Sequence, residues 1–157
     1  MSLSRDIAVM RKTPMLAGLE EEHLRLLAFS SETRRLERGE LLFDLHTPTI
    51  GAGVIASGSL SVASSEESSR RSRLLGPGGI VNGLALLLEG RPSVRAVAQE
   101  PSEVIVVGRA QFRKILTEYP ETARDLEARI AQNLRSMAED LEGVRARLLD
   151  QGDAGSK

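Results

Sequence analysis

The sequence predicts an α+β protein: an antiparallel β-roll of jelly-roll type, with N-terminal helices, a short helix set into the roll and long C-terminal helices. Three observations predict it. Apolar residues at helical spacing occupy the first thirty positions and return after Arg109. Between them, short apolar groups are broken by glycines every several residues, the pattern of strands and tight turns. Inside that middle region, Gly76 to Gly83 packs four glycines and a proline into eight positions, and "LALLLEG" then leaves room for a turn or two of helix.

Each element follows from its residues. Over positions 5–29, Ile7, Val9 and Met10 lead into Pro14, and Leu19, Leu24, Leu26 and Leu27 follow. Glu20, Glu21 and Glu22 stand where acids complement the positive end of a helix. From about residue 33, Leu36, Leu41, Leu42, Phe43, Ile50, Val54, Ile55, Leu60 and Val62 form short groups divided by Gly39, Gly51, Gly53 and Gly58. "SSEESSRRSR", Ser64 to Arg73, reads as a solvated hairpin loop. "VRAVA" and "EVIVV" read as two strands around the turn Glu100-Pro101-Ser102, with Val94, Ala96 and Ala98 facing the core and Arg95 the other way. From Arg109 the chain is helical again, punctuated by Pro120. The expected organisation is an N-terminal helical segment over 1–35, the roll over 36–108, C-terminal helices over 109–149 and a disordered tail over 150–157.

Composition removes several functions. A chain of 157 residues forms one domain with a sufficient core of its own. With no cysteine there is no thiol catalysis, thiolate metal site or disulfide. The two histidines, His23 and His46, have no ligand spacing around them and are expected at the surface, so no metal is expected. A net charge of -1 and 3% aromatic residues supply neither a basic face for nucleic acid nor a platform for stacking bases. No signal peptide or membrane-length apolar run is present, which predicts a cytoplasmic protein with no membrane partner. No Ser/His/Asp grouping or triphosphate loop is present, so no catalytic residue is assigned and an enzyme is not expected.

The glycine-rich stretch has two local readings. A helix beginning near Asn82 would turn unpaired amides toward an anion; the same glycines would equally serve a plain chain reversal.

The order of motifs resembles the cyclic-nucleotide-binding domain of catabolite activators, protein kinase A regulatory subunits and gated channels. The resemblance runs from about Thr13 to Tyr119. "TPMLAGLEEEHL" is similar to the family's opening helix motif, with Leu16 where phenylalanine is usual. "RGELLF" resembles its Gly-Glu-x-hydrophobic-Phe strand, "VIASGSLSV" its strand-turn-strand, "LLGPGG" the approach to the phosphate-binding cassette, and "EPSEVIVVGRAQF" the strand and helix start beyond it. The resemblance implies a cassette Phe-Gly-Glu-Leu-Ala-Leu, then Arg-Ser/Thr-Ala, in which the glutamate takes the ribose 2'-hydroxyl and the arginine the cyclic phosphate. On this chain Asn82 falls at the glycine, Gly83 at the glutamate and Pro92 at the arginine; Leu84, Ala85 and Leu86 match, and Ser93 keeps the hydroxyl. His46-Thr47 stand where the family has Gly-Asp, and Ala52-Gly53 where it has a bulky pair.

Charge-assisted hydrogen bonds contribute about 1.5–3 kcal/mol each, so losing two costs about 3–6 kcal/mol and moves a micromolar site toward about millimolar. Conventional cAMP binding is therefore not expected. The candidate ligand-binding set is Asn82, Gly83, Leu84, Ala85, Arg91 and Ser93, in which Arg91 would substitute for the missing arginine and the amides of Gly83, Leu84 and Ala85 would face an anion.

In the last helix, Ile130, Leu134, Met137, Leu141, Val144 and Leu148 recur at alternating spacings of four and three, a heptad seam. The resemblance implies a homodimer through it; a single amphipathic helix packed on its own roll is the other reading. The family's activators continue into a helix-turn-helix and nothing in this sequence supplies one, so direct DNA binding is not expected. The sequence thus predicts a regulatory or sensor module acting through protein partners. The alternatives are a true receptor for a cyclic nucleotide or other anion, using Arg91, Ser93 and the cassette amides, and a structural dimerisation scaffold.

Overall fold

The computed structural model describes residues 3–45, 47–48, 50–63, 72–87, 94–129 and 131–132. Two helices come first. Helix α1, Leu3–Lys12, buries Ile7 and Met10 and ends ahead of Pro14, whose ring disfavours helical geometry in the residue before it. A tight turn follows, in which the Thr13 hydroxyl donates to the Val9 carbonyl (3.0 Å) and Leu16 and Leu19 are buried. Helix α2, Glu21–Ser30, carries Glu21 and Glu22 in its first turn and buries His23, Leu24, Leu27 and Ala28.

His23 corrects an expectation. It is 2% exposed rather than at the surface, its ring centroid 4.0 Å from that of Tyr119. It occupies the apolar stripe of α2 one position before Leu24, and burial there is set by the packing of α2 rather than by residue polarity. His46 lies outside the described residues.

Eight strands follow: β1 (Glu32–Leu36), β2 (Leu41–Phe43), β3 (Gly51–Ser57), β4 (Leu60–Ala63), β5 (Arg73–Leu75), β6 (Ile80–Val81), β7 (Arg95–Ala98) and β8 (Ser102–Gly108). The roll begins at Glu32, ahead of the residue 36 expected from the sequence. The strands form two antiparallel sheets, in the orders β1-β8-β3-β6 and β2-β7-β4-β5. Strands β4 and β5 pair as the expected hairpin, Leu60 opposite Leu75; its loop, 64–71, lies outside the described residues. The strands either side of Pro101 are both present but belong to different sheets, so that turn carries the chain from one sheet to the other. Gly58 makes the β3–β4 turn at φ +88°, an angle that only glycine adopts at little cost.

Alternation along the strands builds one aliphatic core. Leu36, Leu42, Ile55, Leu60, Val81, Ala96, Ala98 and Val104 are buried together, with Phe43, Val62, Leu75, Val94 and Val106 packed against them. Ala96 and Ala98 face inward as their spacing predicts, and Arg95 instead pairs with Asp44, Nε to Oδ1, at 2.9 Å. On the other side of β8, Ile105 and Val107 are buried; α2 packs on β8 and α1 on β3. A charged tie joins the same layers: Arg5 of α1 donates to Glu103 of β8 (2.6 Å), with Arg35 of β1 at 3.6 Å. The hydrogen bond from Arg5, helped by the charges of both arginines, holds the Glu103 carboxyl below the usual carboxylate range.

Helix α3, Arg109–Glu118, buries Phe112 and Ile115 and stops at Tyr119. By contacts, the first compact unit spans Met1–Pro120 and the second Glu121–Lys157. In the second, residues 121–129 and 131–132 are helical.

Candidate functional site

The glycine-rich stretch is a built loop, not a free one. Gly78 adopts φ +87° and its amide donates to the Ile55 carbonyl (2.9 Å), while Gly79 accepts from the Ile55 amide (3.0 Å). Strand β6 then pairs with β3, Ile80 opposite Val54 and Val81 opposite Gly53. Asn82 turns the chain at φ 63°, the left-handed region that asparagine tolerates better than most residues, and its side-chain amide donates to the Gly51 carbonyl (3.4 Å). From there Gly83–Leu86 forms one turn of 3-10 helix, with Ala85 and Leu86 buried. This is the short helix the sequence predicts.

Two details depart from expectation. The Ala85 amide donates to the Asn82 carbonyl at 3.0 Å, closing the turn, so it does not face an anion; 3-10 geometry commits an amide one residue sooner than an α-helix does. Gly83 and Leu84 are then the two amides at the start of the turn. The other end of the turn is held from α3: the Arg109 guanidinium donates to the Ala85 carbonyl and Arg113 to that of Leu87 (3.2 Å). Cations at the carbonyl end of a helical turn are favourable on charge grounds. Arg109 and Arg113 were not singled out from the sequence, though their spacing of four puts both on one face of α3.

Gly83 shows why its position carries no side chain. A Cβ there would lie 2.6 Å from the Met15 sulfur and 3.4 Å from Ile80 Cδ1. The thioether of the turn between α1 and α2 thus occupies the room into which a residue at 83 would grow. Gly53 shows the same for the roll. A Cβ there would meet Leu42 Cδ2 at 2.8 Å and Val104 Cγ1 at 2.9 Å, so these side chains, with Phe43 beyond, fill the volume the small pair Ala52-Gly53 leaves.

Of the candidate ligand set, Asn82, Gly83, Leu84 and Ala85 lie together in one turn. Arg91 and Ser93 lie outside the described residues, as does Pro92. The same holds for the heptad positions Ile130, Leu134, Met137, Leu141, Val144 and Leu148. Among the described residues no helix is long and apolar enough to cross a membrane, and no cluster of three His, Asp or Glu side chains is placed to hold a metal ion.

Known proteins with the same arrangement place the chain. It is 28% identical over 128 residues to the cyclic AMP receptor protein of Thermus thermophilus, covering 80% of this chain and 59% of that protein. A cyclic nucleotide-binding-like protein of Brucella abortus is 31% identical, with a TM-score of 0.59, over 71% of this chain and 97% of that one. A putative cyclic nucleotide binding protein of Ruegeria pomeroyi shares the fold at 22% identity and a TM-score of 0.72, over 90% of this chain and 64% of that one. The chain thus spans less than two thirds of the Thermus and Ruegeria proteins. Residues 33–119 match the model of the cyclic nucleotide-binding domain, and with more than half its length inside that match the chain belongs to the cyclic nucleotide-binding domain family.

Proposed function

We propose that this chain is a regulatory module whose cassette has lost the grip on cAMP and serves as a contact surface toward a protein partner. The observation that carries the reading is Gly83. It stands where the family places the ribose-binding acid, and the Met15 sulfur fills the space a side chain there would need. In this reading the module is not an enzyme. It works in the cytoplasm and pairs with a second copy through the seam from Ile130 to Leu148.

Arg109 and Arg113 supply the route by which the cassette acts on the rest of the chain. They join its carbonyl end to α3 through backbone acceptors, so a partner that shifts the turn must shift or release α3.

Titration calorimetry with cAMP and cGMP, alongside thermal unfolding, tests this. The unmodified chain is expected to show no saturable heat and no rise in Tm below about millimolar nucleotide. The triple variant Gly83→Glu, Pro92→Arg, Met15→Ala is expected to gain cAMP affinity, with Met15→Ala making room for the new acid. Stoichiometric micromolar uptake of cAMP by the unmodified chain would overturn the proposal.

A further inference from the structure

Met15 stands in the turn between α1 and α2, after exposed Pro14 and before buried Leu16, and is itself half-buried. Its sulfur faces Gly83, where a Cβ would lie 2.6 Å away. Gly39, Gly58 and Gly78 take positive φ angles and Gly83 does not, so chain geometry does not call for a glycine there. What the missing side chain provides is room for the thioether. Ile80 Cδ1, 3.4 Å from the same point, makes the surroundings apolar. Met10, the other methionine among the described residues, is 0% exposed. One thioether is sealed in the core, and the other meets solvent while it covers the cassette turn.

That combination has a chemical consequence. With no cysteine in the chain, an accessible thioether is its softest nucleophile. A hydroperoxide oxidises such a group. The sulfur lone pair attacks one peroxide oxygen, and the S–O bond forms as the O–O bond breaks. The proton on the transferred oxygen passes to the departing one, which leaves as water, or as an alcohol from an organic peroxide. Sulfur is oxidised and the peroxide reduced. The sulfoxide oxygen is strongly polar, and placing it against Ile80 and the Gly83 backbone carbon costs more than leaving it in water. Methionine is unbranched and flexible, so at an open turn it can swing outward.

We propose that Met15 is a reversible oxidation site, at which a peroxide converts the thioether to the sulfoxide, withdraws it from Gly83 and uncovers the cassette turn. Methionine sulfoxide reductases reverse the step. The site depends on the packing of Met15 against Gly83 and not on what the cassette binds, so it stands or falls apart from the loss of cAMP affinity.

The test treats the full chain with hydrogen peroxide, follows each methionine by peptide mass mapping, and reads amide exchange at Ala85 and Leu87. Both amides donate within the turn, at 3.0 and 3.1 Å. Met15 is expected to oxidise about ten-fold or more faster than Met10, and the two amides to exchange about ten-fold faster afterwards while β3 and β8 keep their protection. Reductase treatment should restore the parent rates. Met1 and Met137 lie outside the described residues, so Met15→Leu supplies the control: it keeps the apolar volume, is expected to keep the parent Tm, and should show no quickening in peroxide. Met15→Gln, polar and of similar length, should quicken the same amides without peroxide. Oxidation of Met10 as fast as Met15, unchanged or slowed exchange in the oxidised chain, or equal quickening in Met15→Leu overturns the proposal. Slowed exchange would mean that the sulfoxide oxygen grips the turn instead of leaving it.

Discussion

Gly53 in the roll and Gly83 in the cassette pose the same question and answer it differently. At each a neighbour lies inside 3 Å of where a Cβ would stand. At Gly53 the neighbours are Leu42 and Val104, both buried, branched and locked among the other side chains of the core. At Gly83 the neighbour is the thioether near the end of Met15, a flexible side chain that is half-buried at a turn. The first gap has been closed by the core itself and is costly to reopen. The second is closed by a single movable arm. Loss of bulk in the roll is thus a fixed feature of the fold, whereas the cassette can be refitted.

The largest test of that contrast is Gly53→Leu, which overpacks a closed core and is expected to cost about 3 kcal/mol in urea unfolding. Combining it with Leu42→Ala should return a good part of the loss, because the two side chains compete for one volume. Simple additivity would show that the volume is not shared.

Next comes Arg109→Ala, expected to cost about 1.5–2 kcal/mol through a lost charge-assisted hydrogen bond. Its signature is local: amide exchange should quicken at Leu86 and Leu87 while the amides of β3 and β8 keep their protection. Uniform quickening would mean that cassette and roll open together, and the contrast drawn here would fail.

Gly83→Ala should cost only about 1 kcal/mol, since the backbone there needs no left-handed angle and Met15 alone must yield. Adding Met15→Ala should erase the cost of the Gly83 substitution. A loss as large as that at Gly53, unrelieved by the second substitution, would make the two glycines equivalent.

The smallest effect concerns acid. Glu103 is held below the usual carboxylate range, first by its hydrogen bond from Arg5, so it favours the folded state above the ordinary carboxylate pKa, and that contribution is lost as pH falls from there through the lowered folded-state value. Glu103→Gln should therefore flatten the fall in Tm below about pH 5 and leave the cassette's exchange rates unchanged.

Much of the roll was legible because its signals are local. The alternation of Val94, Ala96 and Ala98 set the inward face of β7, and Asn82 among glycines marked the turn into a short helix. Periodicity and turn chemistry are written by near neighbours in the chain, so a reader needs only those neighbours to find them. The misses turn on packing partners and on helix type, which periodicity does not carry. His23 is buried on the packed face of α2, where the ring of Tyr119, 96 positions on, lies tilted against it. The Ala85 amide was expected to be open, but helix type decided it, and the carbonyls beyond it are taken by arginines more than twenty positions away.

The sequence by itself determined the class of fold and the order of its elements. Those are facts of residue type and spacing. Only the tertiary structure decided that Met15 fills the place beside Gly83, that Leu42 and Val104 close over Gly53, and that α3 holds the cassette by its carbonyls. Which side chains meet depends on how two sheets and three helices pack, and close packing leaves each empty position to whichever neighbour can reach it.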